Sequence, residues 1–347
     1  MAMRTFFFLP PVRQAAGGVT VIRRMASFLA ASGREVALVP RELPGEGKGW
    51  TPSDSFVDAP VVAWEALDLR LGDLWVVPEG WVNALTPGLN AGARCLVYVQ
   101  NWAYLLSALP EGVSWRKLPV GFLAVSEPVA RFTEATTGRK APVLRPGVDL
   151  ALFHAPETKP EGLRIAWMPR KNKALAKQIR DTFEHMAPEL AARCRWIEIA
   201  GMTAAEVAGA LQSSHIFLAT GFPEGCPLPP LEAMACGCLC VGYMGFGGAD
   251  YMRQALPPSV DPAPFAPWWG ERPTPWSANG LWSADADILG AATHLQLAAG
   301  WFSEDAPGAA HPLTQTLAGA RATARAYGLD TQRQAVLALW AELENAR

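Results

Sequence analysis

Nine short apolar runs, separated by longer stretches with helical spacing, constrain this chain more than any other feature. They are residues 5–9, 35–39, 74–77, 95–99 and 121–125, followed by 164–168, 196–199, 215–219 and 238–242. Each run suits one strand, and each leads into a helix-like segment rather than into a second strand. Strands that alternate with helices pair in parallel, because the crossover helix returns the chain to the same end of the sheet. The intervening segments are amphipathic: across residues 172–186, Leu175, Ile179, Phe183 and Met186 recur at helical spacing. The expected fold class is therefore α/β, with doubly wound parallel sheets. Residues 149–162, rich in Pro, Glu and Ala and without periodicity, separate the two strand series. The expected layout is a first domain over residues 1–158, a second over 159–330, and a C-terminal helix within 331–347.

Composition narrows the function classes. Half of the residues are hydrophobic, only 18% are charged, and the formal net charge is −2. There is no clustered Lys/Arg surface of the kind that nucleic acid requires. No apolar run approaches the ~18 residues of a membrane span, which leaves room only for peripheral membrane contact. The apolar patch near the start, residues 1–10, is too short for a signal segment and reads as a first strand. Six cysteines in 347 residues make no disulfide framework, and a reducing, cytoplasmic setting is expected. Cys236, Cys238 and Cys240 form a C-x-C-x-C, but no His or second Cys pair stands at zinc spacing. They read as a helix end and one face of a strand, and no metal or resident cofactor is expected.

The strongest local signal is residues 221–237, GFPEGCPLPPLEAMACG, directly after the strand candidate 215–219. Glu224 falls in the loop. Pro229 and Pro230 suit the first turn of a helix, where a missing N–H is harmless, and Glu232 is placed in that turn. A strand, loop and helix of this kind bring free N–H groups and a positive helix end to the carboxyl edge of a parallel sheet, where anions such as a pyrophosphate bind. Two carboxylates beside a phosphate site suit hydroxyl groups instead, such as those of a sugar and a ribose.

With this spacing and these flanks, the segment resembles the E-x7-E signature of retaining glycosyltransferases of the GT-B architecture, family 4 type. The resemblance implies two Rossmann-like domains facing across a cleft, with the last helix crossing back onto the first domain. It implies Glu224 beside the donor sugar and Glu232 on the ribose hydroxyls, with Gly225, Cys226, Pro227 and Leu228 lining the donor. Cys226 and Pro227 replace the family's Phe-Gly, and Pro227 has no N–H to offer. Arg170, after the strand 164–168, matches the family's diphosphate-binding Arg. Lys173 is taken for the accompanying Lys, with Lys171 as its rival. Two cations there would neutralise a departing diphosphate. Gly247 and Gly248 match the second glycine loop, with Asp250 as the nearest acid. Gly18 matches the first glycine loop, and Gly201 and Met202 lie where the family's backbone meets the base. Where the family commonly has a histidine, this chain has Gln100, Asn101 and Trp102. Some rhamnosyltransferase-like members carry a Gln there, so Gln100 is assigned to polar sugar contact, with Glu79 and Trp102 also on the acceptor side.

Two segments stand apart. Asp285 and Asp287 form a D-x-D, read as helix-start acids rather than as a metal site. Residues 256–283 hold seven prolines and four tryptophans, which argues against regular structure there, and Trp268 or Trp269 is expected on an ordered flap. The expected activity is transfer of a hexosyl or deoxyhexosyl group from a nucleotide-diphosphate sugar, as co-substrate, to a glycan or lipid-linked hydroxyl, in glycan biosynthesis, without metal and with retention of configuration. The alternative is a non-catalytic GT-B scaffold or nucleotide-sugar-binding subunit. The sugar, the base, the acceptor and the oligomeric state are not legible.

Overall fold

The structure is a computed structural model and describes residues 3–11, 17–42, 59–255, 270, 272–303 and 311–346. The chain divides into two compact units, Met1–Gly147 with Asp330–Arg347, and Val148–Leu329.

The first unit holds a five-stranded sheet of β1 (Thr5–Leu9), β2 (Val36–Pro40), β3 (Leu74–Pro78), β4 (Arg94–Val99) and β5 (Val120–Ala124), in the order β2-β1-β3-β4-β5. Every pairing is parallel. The strand sequences are continuous apolar runs because both faces are covered: all five residues of β1, TFFFL, are buried. Helix Gly17–Ala31 covers one face by burying Val21, Ile22, Met25 and Leu29.

The second unit repeats the plan. Its strands are β6 (Leu163–Trp167), β7 (Cys194–Glu198), β8 (Ile216–Ala219), β9 (Leu239–Tyr243) and β10 (Gly280–Ser283), in the order β10-β9-β8-β6-β7 and again parallel. In each unit the first strand lies between the second and the third. The chain therefore leaves the first and third strands on opposite faces, and a crevice opens at their carboxyl ends. This is the switch point where open α/β sheets bind ligands. In the second unit those strands are β6 and β8.

Three sequence expectations change. The units meet at Gly147/Val148 rather than near residue 158. Residues 148–159 are docked on the second unit: Val148 and Phe153 enter its core, the Val148 N–H donates to the Tyr327 carbonyl at 2.7 Å, and the Lys159 ammonium meets the Ser214 carbonyl. The proline-rich stretch ends in a regular strand, because Gly280–Ser283 pairs with β9 as an edge strand. Trp276 and Trp282 are core residues of this unit, their indole N–H groups bonded to the Tyr251 carbonyl at 2.8 Å and to Asn279 Oδ1 at 3.1 Å. Trp268 and Trp269 lie outside the described residues. Met186 is exposed, since it is the last residue of helix Lys173–Met186 and only Ala176, Ile179 and Phe183 are buried.

The C-terminal helix, Leu329–Asn345, packs on the first unit. Trp340 is fully buried, stacks on Phe7 at 5.7 Å and donates its N–H to Thr5 Oγ1 at 3.1 Å. Arg34 closes the helix end through Glu344 at 2.9 Å. Trp340→Ala should cost about 3–5 kcal/mol and lower the urea midpoint of the first unit's transition. An unchanged midpoint would show that this helix is not part of that core.

Candidate functional site

The loops after β6 and β8 are tied together at the switch point of the second unit. Asn172 adopts a left-handed backbone, φ 57°, which Asn tolerates better than most residues. From there its amide donates to the carbonyls of Thr220 at 2.8 Å and Phe222 at 3.1 Å. That turn aims Lys171 at the same loop. Its ammonium reaches Glu224 Oε1 at 2.8 Å and the Pro223 carbonyl at 3.1 Å. Both side chains are partly buried, Lys171 at 27% and Glu224 at 21% exposure.

The loop after β9 closes on Glu224 from the other side. The Glu224 N–H donates to the Gly245 carbonyl at 3.0 Å, and the Gly247 N–H donates to the Glu224 carbonyl at 3.1 Å. A side chain on Gly247 would stand 2.0 Å from the Gly225 carbonyl oxygen, and one on Gly245, at φ 66°, would stand 2.8 Å from the Gly221 oxygen. Backbone meets backbone here, so only glycine fits. Gly248 is less demanding, since its nearest neighbour is the flexible end of Met252. Asp285, after β10, holds the Gly245 N–H at 2.8 Å. Burial raises its carboxyl pKa, and that N–H works against the shift.

Helix Leu228–Ala235 starts on the Pro227 cap. Glu232 is its fifth residue, beyond the first turn where the sequence placed it, and is partly buried. Pro227, Pro229 and Pro230 carry no N–H, so of residues 227–231 only Leu228 and Leu231 have one. This helix end is a weaker anion site than the strand-loop-helix pattern implied, and side-chain cations must carry more of the charge.

The remaining sequence candidates separate. Arg170 is exposed in the same turn as Lys171. Lys173 is also exposed and lies 3.5 Å from Glu198, so it is Lys171 that joins Glu224. Gly201 and Met202 are exposed in the turn after β7, and Gly225 and Cys226 line the loop. Asp250 is buried and faces inward to the Tyr327 hydroxyl at 2.5 Å and Arg272 at 3.6 Å. Asp287 caps helix Ile288–Trp301 by accepting the Gly290 N–H at 2.8 Å. The D-x-D therefore braces two backbone turns. Among the described residues, no group of three or more His, Cys, Asp or Glu is placed to hold a metal. Cys238 and Cys240 are buried, with thiols on the carbonyls of Ser214 and Pro230.

The first unit has its own cluster after β3 and β4. Glu79 is 4% exposed and accepts the N–H groups of Gln100 at 2.9 Å and Asn101 at 2.8 Å. It is a buried brace rather than an open acceptor contact. Gln100 donates to the Gly18 carbonyl at 2.9 Å, and a side chain on Gly18 would strike it at 2.5 Å. Asn101 caps helix Trp102–Ser107 through the Ala103 N–H. Trp102 is partly buried, edge-on to Phe132 at 5.5 Å. Burial pushes the Glu79 carboxyl up to about 7, although its backbone N–H partners oppose this.

Comparison with known proteins agrees with this architecture. Residues 145–266 match the family model described as "Glycosyl transferases group 1". No curated protein sequence matches the chain. Among solved structures, a glycosyltransferase from Rickettsia africae superposes with a TM-score of 0.64 at 12% identity, covering 100% of both chains. The sucrose-phosphate synthase of Thermosynechococcus elongatus gives 0.65 at 13%, covering 99% of this chain and 100% of its own. The lipopolysaccharide outer core galactosyltransferase WaaB, in its apo form, gives 0.61 at 12%, covering 98% and 100%. At such identities the structures speak for the fold alone. What the superpositions define is the architecture, a GT-B-like fold over the full chain. The matched segment is similar to group 1 glycosyltransferases, and it contains both Lys171 and Glu224.

Two outcomes test this geometry. Between pH 4.5 and about 7 the folded protein holds a proton on Glu79 that the unfolded chain has lost, so stability should fall as pH rises through that window, by up to about 3 kcal/mol. Glu79→Gln should flatten that part of the profile, read as urea midpoints at pH 5 and pH 8; an unaltered slope would remove Glu79 as its source. Gly247→Ala should displace the loop after β9, costing about 1–3 kcal/mol of stability, read as a lowered urea midpoint. An unchanged midpoint in that variant would contradict the close packing described.

Proposed function

We propose that the second unit binds a nucleotide-diphosphate sugar and that the enzyme transfers its sugar, with retention of configuration, to a hydroxyl of a glycan or lipid-linked acceptor. One observation carries this reading: Lys171 and Glu224, a cation and a hydroxyl acceptor, stand side by side at the switch point. Lys171, with Arg170 from the same turn, neutralises the diphosphate. Glu224 accepts from a sugar hydroxyl, and Glu232 from the ribose. The loop at residues 245–248 lets backbone approach the donor. Lys173, turned to Glu198, is left out of the diphosphate site.

The chemistry follows from those groups. As the bond from the anomeric carbon to the diphosphate oxygen lengthens, charge grows on the leaving oxygen. Cations held in place stabilise that charge without reorganising. The acceptor oxygen bonds to the anomeric carbon and its proton passes to the leaving oxygen, so the step needs no separate side-chain base. We assign the acceptor to the first unit, with Gln100 making polar contact with it and Glu79 holding Gln100 in place. A non-catalytic scaffold is the second reading. Pro227 in the donor loop and Gln100 at the histidine position favour it, while the Lys171–Glu224 arrangement favours turnover.

Release of nucleoside diphosphate from a panel of UDP-, GDP-, ADP- and TDP-sugars, in excess EDTA, separates the two. One donor should be turned over at full rate in EDTA. Lys171→Ala should lose about 100–1000-fold in rate, and Lys173→Ala less than about threefold. Glu232→Ala should weaken nucleoside diphosphate binding by about 1.5–3 kcal/mol, measured by calorimetry. No release with any donor would leave the scaffold; loss in EDTA with rescue by Mg²⁺ would overturn the metal-free charge scheme.

A further inference from the structure

The Lys171 ammonium has three N–H donors, and two of them are engaged, by Glu224 Oε1 at 2.8 Å and by the Pro223 carbonyl at 3.1 Å. One is left for an incoming phosphate oxygen. A diphosphate that draws on more than that one donor competes with Glu224 for the same cation. Its backbone is held on both sides by Gly245 and Gly247, so it cannot move away with its loop at small cost. A side-chain rotation is what remains, and the carboxylate then needs another hydrogen-bond donor, because a partly buried charge without one is costly.

Resting on the donor reading above, we propose that Glu224 is a specificity-determining residue that favours a sugar-loaded diphosphate over the sugar-free one, acting through Lys171. A nucleotide sugar brings both partners: its phosphate takes Lys171, and a sugar hydroxyl takes Glu224. A nucleoside diphosphate takes Lys171 and leaves Glu224 with nothing in exchange. The exchange is nearly balanced for the donor and costs one interaction for the product. The site would thus release its own product more readily than a fixed cation could, since a fixed cation favours the free diphosphate, whose terminal phosphate carries the extra charge that the nucleotide sugar lacks. The same exchange ties the cation's charge to the presence of the sugar, where the transfer needs it.

The test is calorimetric titration with UDP, GDP, ADP and TDP, using the tightest, and with the matching nucleotide sugar. Glu224→Gln should bind the nucleoside diphosphate about three- to tenfold more tightly than wild type. Its preference for the sugar-loaded form should narrow or vanish. In a Lys171→Gln background, Glu224→Gln should no longer tighten binding of the diphosphate. Unchanged or weaker diphosphate binding by Glu224→Gln, with wild type binding well, overturns the proposal and leaves the donor site standing. Equal tightening with and without Lys171 also overturns it, because simple removal of a negative charge then explains the gain. Wild type that binds none of the four diphosphates overturns the donor reading itself. Melting temperatures check that each variant is folded. If Glu224→Gln is not, Glu224→Asp, which keeps the charge but draws it back from the ammonium, should tighten diphosphate binding in the same sense by a smaller factor, and no change there overturns the proposal.

Discussion

The pairing of the Glu224 backbone with the glycine loop after β9 is the interaction on which the rest of the candidate site depends. One residue gives its N–H to Gly245 and takes an N–H from Gly247. This is close to a strand pairing made by two loops, and it works only because no side chain intervenes at residues 245 and 247. It fixes where the Glu224 carboxylate begins. Asn172 fixes the facing turn by bonding two carbonyls of the Glu224 loop, and Lys171 is aimed as a consequence. Asp285 then anchors Gly245 from behind. Loops that would each be mobile alone are made mutually dependent, which is how a site gains precision without lying on a strand or helix.

The first unit solves a related problem with a buried carboxyl group. Its strand order is the same, so the ends of β1 and β3 form the corresponding switch point. Glu79 stands at the end of β3 and gathers the N–H groups after β4. A carboxyl group offers two oxygens, and each here accepts one N–H. The cost is burial, visible in its raised pKa. What the arrangement secures is the position of Gln100 against Gly18, a contact between the ends of β4 and the start of helix Gly17–Ala31.

Much of this was legible in the sequence, for identifiable reasons. Nine of the ten described strands announce themselves as short apolar runs, most of them because strands covered on both faces must be continuously apolar; β7, an edge strand with no buried residue, is the exception. The tenth, Gly280–Ser283, is a short edge strand following a proline-rich stretch, and its periodicity is too brief to read. Glu224, Glu232 and residues 245–248 stood out in the sequence by their spacing, prolines and glycines; the structure brings Glu224 and the 245–248 loop together, while Glu232 lies farther along its helix than expected. Lys171 and Lys173 could not be told apart by spacing. The left-handed turn at Asn172 brings Lys171 rather than Lys173 to Glu224, and an Asn between two lysines is a faint hint of such a turn.

By itself, the sequence determined the class of fold, the two strand series and the place of the loop that carries Glu224, because those follow from hydrophobic periodicity and from residues with special backbones. Only the tertiary structure decided which groups meet. Residues 148–159 joined the second unit because Val148 and Phe153 are buried there. Asp250, Asp285 and Asp287 became backbone and side-chain braces. The three prolines left few N–H groups at the start of helix Leu228–Ala235, a subtraction that matters only once that helix is known to begin at Leu228. Lys171 met Glu224 across a separation of more than fifty residues, which is set by two loops closing on each other. Local sequence encodes what a residue can do; its partners depend on how parallel strands order themselves and bring their loops to one edge.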